Sequence, residues 1–586
     1  MVISLIRTAL QTSSLSLAFV SSLSSIQAQS GPVPARAEEY LQERMVLLAD
    51  LQELTARSKQ LASPLARAVA ETEIADAVWA LDRNLAKDLL RDAYKLTFPE
   101  EAEQERLRKI PIGTQPQIPT SLRSAQMTLR RAVLRIASRE KAFVTELAQS
   151  VAETLGPYDA HMSYASLGRD AVLDGDYDAA GKYILQSIDA EPTQVTGPLE
   201  INQLAAKDRA AADEIILAYL NKLVATPLEF QNQSRLRATF ALSNLIQPLE
   251  FFDGIAGIPP PGPAVMRAYV VYTLNTAASL SQSPANCPAA HALLVTIYSL
   301  LNQYAPELKS QFIAVEQRSR KPGENFSLPT PREREADNKA KFDKQVESEF
   351  DSDPPDAILI QRVIGRGDFA KARKLIDKLA DGAQKSELIE ILTTQQAISL
   401  ANKDDLPDAL KLSESLTRPA SIGRVLPLLA GKCAAKMDST CARDAVNQAV
   451  RQLQKADLTP FTPPPGVSAS SMATSNDFDP GLTTLGNLAT AVLPLQDELP
   501  LDVLGELVVT ANHSKMDTGQ GRTGFETSLF RKFAEKDVAK TAAAAMQFQD
   551  PLRQVIALAA IDQWKVDRLI KAELASRNKE AAAKKN

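Results

Sequence analysis

The sequence predicts an all-α protein, an irregular α-solenoid of stacked helical hairpins in two or three helical blocks. Three observations carry that expectation. Glycine is scarce, at 23 of 586 residues, and each Gly inside a helix costs about 1 kcal/mol against Ala. Apolar residues recur at helical spacing along most of the chain, whereas period-two runs of Val, Ile, Thr and Tyr are hard to find and aromatics are only 5%. A short pattern also recurs, with Asp first, Ala four residues on, and a large or aliphatic residue a turn later.

That pattern reads Asp82–Ala86–Leu89, Asp176–Ala180–Tyr183, Asp368–Ala372–Leu375, Asp405–Ala409–Leu412 and Asp438–Ala442–Val446. Asp at a helix start caps free N–H groups and suits the positive end of the helix dipole. The small Ala sits where a partner helix crosses closely, and the aliphatic residue fills the groove beyond it. The spacing of the last three copies is that of stacked hairpins.

In chain order, residues 1–28 read as a secretory signal. Arg7 supplies the positive start, Leu15, Leu17, Phe19, Val20 and Leu23 the apolar stretch, and Ile26–Gln27–Ala28 a cleavage site. Residues 29–320 form an N-terminal helical-repeat domain. Its helices are expected at 38–61, 65–81 and 84–97, then as one long helix from about 121 to 155, then through 199–247, 264–280 and 289–319. Proline-rich loops punctuate it at 111–119 and 257–263, because each Pro fixes φ and removes a donor. Residues 321–355 are a charged, Pro-containing linker and helix. Residues 356–457 hold further helical-hairpin repeats, 458–481 a Pro/Ser-rich flexible loop, 482–576 a C-terminal helical block, and 577–586 a disordered tail.

One unit, 159–192, is more specific. It carries Tyr164, Leu167–Gly168, Gly175–Asp176–Tyr177, Ala180, Ile184, Ser187 and a closing Pro192. This unit resembles a tetratricopeptide repeat. The other units lack the Leu-Gly pair and the closing Pro. The resemblance implies a helix pair whose groove positions lie on the first helix, here Ala165, Arg169 and Val172. Where the family's carboxylate clamps place an Asn, this chain has Arg169, a candidate for pairing with an acidic partner.

Composition narrows the function. A net charge of −5 and a pI near 5.6 give no basic excess, so nucleic acid is not expected as a partner. After the leader no apolar run is long enough to span a membrane. His161, His291 and His513 lie far apart, each read as a loop or helix-surface residue, and no metal or cofactor is expected. Gly519–Gln520–Gly521–Arg522–Thr523–Gly524 fits the formal G-x-G-x-x-G pattern. A polar stretch precedes it instead of a strand, so it reads as a loop before a helix beginning near Glu526. Cys287 falls in an apparent loop. Cys433 and Cys441 are too far apart for a disulfide along one helix. A turn at 436–440 could join them in an oxidising compartment, and the alternative is two small buried hydrophobes.

No catalytic constellation is legible. The expected function is that of an exported, periplasmic or extracellular, helical-repeat scaffold that binds a protein or peptide and is not an enzyme. Two alternatives stay open. One is a cell-envelope enzyme processing polysaccharide through carboxylates that meet only in three dimensions. The other is a purely structural secreted protein. The partner's identity and the oligomeric state are not specified by the sequence.

Overall fold

The computed structural model describes residues 35–109, 120–193, 198–226, 234–246, 258–319, 344, 356–455 and 479–583. Among the described residues the protein is all helical. The first run is α1 (Ala35–Ser58), α2 (Pro64–Val78), α3 (Arg83–Leu96), α4 (Glu101–Arg108), α5 (Thr120–Ala137), α6 (Lys141–Leu155), α7 (Pro157–Asp174), α8 (Tyr177–Ala190), α9 (Pro198–Lys207), α10 (Arg209–Ala225), α11 (Ser234–Ile246), α12 (Pro263–Leu280), α13 (Cys287–Tyr304) and α14 (Lys309–Ser319). The second is α15 (Ala357–Gly365), α16 (Phe369–Asp377), α17 (Ala383–Asn402), α18 (Leu406–Ser413), α19 (Pro419–Ala435), α20 (Ser439–Lys455), α21 (Pro480–Val492), α22 (Leu499–His513), α23 (Leu529–Lys536), α24 (Val538–Ala545) and α25 (Pro551–Ala583).

The recurring Asp residues do start helices. Asp82 accepts from the N–H groups of Asn84 and Leu85, Asp176 from Ala179, Asp368 from Lys371 and Asp438 from Cys441. Each such cap is worth about 1 kcal/mol. Four of the five share one turn. The residue before the Asp is left-handed: Gly175 at φ 78°, Gly367 at 80°, Asp404 at 69° and Met437 at 57°. Its N–H reaches the carbonyl three residues back. The Asp N–H reaches the carbonyl five back, from Asp176 to Ala171, Asp368 to Val363, Asp405 to Leu400 and Asp438 to Cys433. This is a Schellman turn, which satisfies the free carbonyls of the first helix while the Asp opens the second. The Ala of each copy (Ala180, Ala372, Ala409, Ala442) is fully buried.

Packing follows neighbour to neighbour, but not from one chain end to the other. α1 and α2 pack on α25, and Arg44 reaches Glu573 at 3.2 Å. One core therefore joins residues 47–167 to residues 397–569, while smaller cores serve 184–315 and 359–392. From this centre two arms extend. One runs through α3, α5, α7/α8 and α10 to α12–α14, the other back through α22/α21, α19 and α17 to α15/α16. The first and last described helices thus sit at the middle of the solenoid, and its two arms end at Ser319 and Ala357. The sequence, read in order, treats the first and last blocks as separate. Burial of the apolar faces of α1, α2 and α25 against one another makes them one.

Several local expectations are corrected. The long helix of 121–155 is two, α5 and α6. No Gly or Pro marks the break, and Ser138 Oγ instead takes up the Arg135 carbonyl at the end of α5 (2.7 Å). The expected helix 289–319 is also two, parted at Ala305–Pro306. Cys287 is not in a loop; it opens α13, because Pro288 is pre-set for a first helical turn. The helix expected near Glu526 begins at Leu529. Residues 577–583 are not a disordered tail but continue α25, as Ala, Lys and Glu are strong helix formers and Arg577 pairs with Glu573 one turn back. His161 is not on the surface. It is buried, with Nδ1 3.1 Å from the Ser187 carbonyl and 3.0 Å from Ser187 Oγ. The signal at 1–28, the loop at 111–119, most of the loop at 458–481 and nearly all of the linker at 321–355 lie outside the described residues.

Candidate functional site

Arg169 lies exposed on α7. Its Nε donates to Glu200 Oε1 of α9, whose carboxylate is buried. The acidic group beside Arg169 thus comes from the chain itself. Of its two companions on α7, Val172 is buried and Ala165 half-buried. The face that the repeat resemblance points to is therefore largely covered.

Cys433, at the buried end of α19, is bonded to Cys441 in the first turn of α20. The S–S distance is 1.99 Å and the Cα–Cα distance 5.6 Å. The bond straddles the turn through Met437. The same hairpin builds one wall of a surface groove. In the inner layer α19 packs closely on α21, while the outer helices α20 and α22 diverge and leave a groove of about 350 Å³. Its floor is Val446, Val450, Leu499 and Val503. Arg443 and Arg451 stand along the α20 rim, and Asp502 and Glu506 along the α22 rim. At one end Arg443 bridges to Asp502 at 3.6 Å and Asp497 at 3.9 Å.

The glycine-rich segment 519–524 serves packing. Gly521 (φ 74°) passes so close to α2 that a Cβ would lie 2.9 Å from Val69 Cγ2 and 3.1 Å from the Leu65 carbonyl. At Gly524 (φ 84°) a Cβ would meet Leu482 Cδ1 at 2.6 Å. Both glycines are needed because the backbone itself is wedged between helices. The segment is tied down from several sides. Thr518 Oγ1 donates to Asp550 at 2.7 Å, Ser63 Oγ donates to the Gly519 carbonyl, and Arg553 Nε donates to the Thr523 carbonyl at 3.1 Å.

Held in this way, residues 520–522 close one side of a cleft of about 250 Å³ whose other walls are α2 and α5. Val69, Ala125, Leu129 and Ala132 give it an apolar lining, and Thr72, Ser124 and Thr128 contribute hydroxyls. Glu73 of α2 and Arg522 both line it. Burial pushes the Glu73 carboxyl up to about 7, against a hydrogen bond from Thr527, and Asp76 one turn on adds to the rise. Asp76 is itself held by Arg139 and by Gln563 Nε2 at 2.5 Å. Burial also lowers Arg522. Gln520 Oε1 is buried and accepts no hydrogen bond. Val450, Val503 and Glu73 did not stand out in the sequence, and Arg522 did so only as a member of the glycine pattern read as a loop. Glu73 and Arg522 are brought together only by closure of the chain's two ends.

Among the described residues no group of three or more His, Cys, Asp and Glu could hold a metal ion, and no helix is long and apolar enough to cross a membrane. The packing makes this a helical-repeat protein, an irregular α-solenoid. No family model and no curated protein matches the chain. Among solved structures it aligns with one described as a "circular tandem repeat protein with novel repeat topology and enhanced subunit contact surfaces". The alignment covers 91% of this chain and 99% of that one at 10% identity and a TM-score of 0.17. At that score the likeness carries no argument about shape, and the class rests on the helix pairing described above.

Proposed function

We propose that the protein is an exported scaffold that acts by binding, and that its partner is an amphipathic helical segment of another protein. The observation that carries this reading is the groove between α20 and α22. An apolar floor flanked by arginines on one rim and acids on the other is the complement of a helix with its own apolar stripe. The helix would carry acidic residues along the flank facing Arg443 and Arg451, and basic residues along the flank facing Asp502 and Glu506. Stacked hairpins suit this role, since they present long surfaces built from neighbouring repeats. The tetratricopeptide-like signature of 159–192 and the leader-like N-terminus support the same reading.

The test is fluorescence anisotropy with a labelled synthetic helix. It carries Leu at i, i+3, i+4 and i+7, Glu on one flank and Lys on the other. Saturable binding is expected, and Val450→Arg or Val503→Asp should abolish it. A control peptide with Lys on both flanks should bind more weakly, because one of its flanks meets the arginine rim. Failure of the first peptide to bind, or binding unchanged by either substitution, defeats the reading.

A further inference from the structure

The cleft beneath the glycine-rich segment lies apart from the α20/α22 groove. It combines features that the fold alone does not require. Gln520 carries a buried acceptor with no hydrogen-bond partner, and such groups call for an explanation such as a bound molecule. On the same cleft stand a carboxyl held near neutrality and a guanidinium, the first among groups that would favour a cation beside it, the second a donor fork suited to carboxylates. The charges that act most on Glu73 are those of Asp76 and Arg135, not of Arg522. Glu73 and Arg522 thus stand on different walls of one cleft, α2 and the glycine-rich segment.

We infer that this cleft binds a small zwitterion of amino-acid or dipeptide size, with its carboxylate on Arg522 and its ammonium on Glu73 and the Gln520 amide oxygen. The volume sets the size class. About 250 Å³ is below the roughly 300–1,000 Å³ typical of pockets for larger organic ligands. The methyl groups of Val69, Ala125 and Ala132 then receive a small apolar side chain. An ammonium beside Glu73 favours the ionised form that burial disfavours, adding to the field of Arg135.

Isothermal titration calorimetry of the full chain tests this with three probes: L-alanyl-L-alanine, N-acetyl-L-alanine without the ammonium, and L-alaninamide without the carboxylate. Saturable binding of the dipeptide is expected, with each truncated probe at least about tenfold weaker. Arg522→Ala should remove the preference for a carboxylate, and Glu73→Gln the preference for an ammonium. Gln520→Ala, at a side-chain oxygen that bonds nothing within the protein, should leave the melting temperature unchanged and still weaken the dipeptide. No heat from the dipeptide at millimolar concentration overturns the inference. So do equal affinities for the three probes, or binding indifferent to all three substitutions. Because these residues are remote from Val450 and Val503, failure here leaves the helix-binding reading untouched.

Discussion

Arg553, in the first turn of α25, donates from Nε to the carbonyl oxygen of Thr523 at 3.1 Å, while its Nη1 takes the Ala511 carbonyl at the end of α22. One buried guanidinium therefore fixes both ends of the segment 511–523, which carries Gly519 and Gly521 and leads into Gly524. Replacing it by Met leaves the buried Thr523 carbonyl without its donor, at about 1–3 kcal/mol, and strips the Ala511 carbonyl of its charged donor, leaving only the Ser514 N–H. Arg553→Met should lose about 2–4 kcal/mol of stability in urea unfolding, and Arg553→Lys should recover only part of it, because a single ammonium nitrogen does not reproduce the rigid span between Nε and Nη1 that reaches the two carbonyls. An Arg553→Met protein that unfolds at the wild-type midpoint would show that the clamp contributes nothing.

Gly168 and Ile184 set the closeness of α7 and α8. A Cβ on Gly168 would lie 2.9 Å from Ile184 Cγ1 and 3.5 Å from the Ile184 backbone nitrogen. Gly168→Ala should destabilise by about 1–3 kcal/mol through overpacking. Paired with Ile184→Ala in a double-mutant cycle, the two losses should sum to more than the loss in the double variant, since each substitution relieves the other. Strict additivity would place the strain elsewhere.

Met437 is the one repeat-turn residue that is neither Gly nor Asp at a left-handed position. Left-handed backbone costs an ordinary side chain about 1–2 kcal/mol. Met437→Gly should therefore raise stability by about 1 kcal/mol, whereas Gly367→Met in the equivalent turn should lower it by a similar amount. Thermal unfolding of the two variants reads the difference, and shifts of the same sign would contradict the shared-turn account.

Reduction of the Cys433–Cys441 bond should be felt at the same turn. A loop closed across 8 residues restricts the unfolded chain by about 2.5 kcal/mol on the chain-entropy estimate. Cys433→Ser with Cys441→Ser should lose about that much under non-reducing conditions and nothing further on adding a reductant. A wild-type protein indifferent to reductant would mean that the bond is not formed in solution.

Stability should also fall as pH rises through neutrality. Glu71, buried on α2, lies 3.5 Å from Arg67 Nε, and its Oε2 makes no hydrogen bond. Burial lifts its carboxyl from the ordinary 4.5 to about 7. The folded state thus holds a proton that the unfolded chain releases. The stability this confers is complete below about 4.5 and is lost as pH rises towards about 7. Glu71→Gln should stabilise the protein at pH 8 relative to wild type and lose that advantage in acid. His161 works in the other direction. Burial lowers it below its ordinary 6.5, so stability conferred by its neutral form is complete above 6.5 and is lost as pH falls from there through the lowered folded value. A Glu71→Gln profile parallel to wild type from acid to pH 8 would refute the first assignment.

Legibility in the sequence follows the range of the interaction. The Asp caps were readable because their partners are two or three residues away, as with Asp82 and Asn84. Gly168 was legible only as half of the Leu167–Gly168 signature, and its close approach to Ile184 of the next helix was not. The break at Ser138 was not, since it uses no Gly or Pro. His161 was misread because its partner, the Ser187 carbonyl, belongs to the next helix. The role of Gly521 was hidden altogether. The residue it touches, Val69, comes from the opposite end of the chain.

What the sequence determined alone is the helical class and the unit of construction: hairpins with Asp starts and buried Ala crossings. These depend on local backbone energetics, which are written in adjacent residues. What only the tertiary structure decided is that the end helices α1, α2 and α25 meet and share a core, and with it the cleft of Glu73, Gln520 and Arg522. Apolar burial is non-directional and indifferent to separation along the chain. Which greasy face covers which is therefore set by the whole folded path and cannot be read from any one segment.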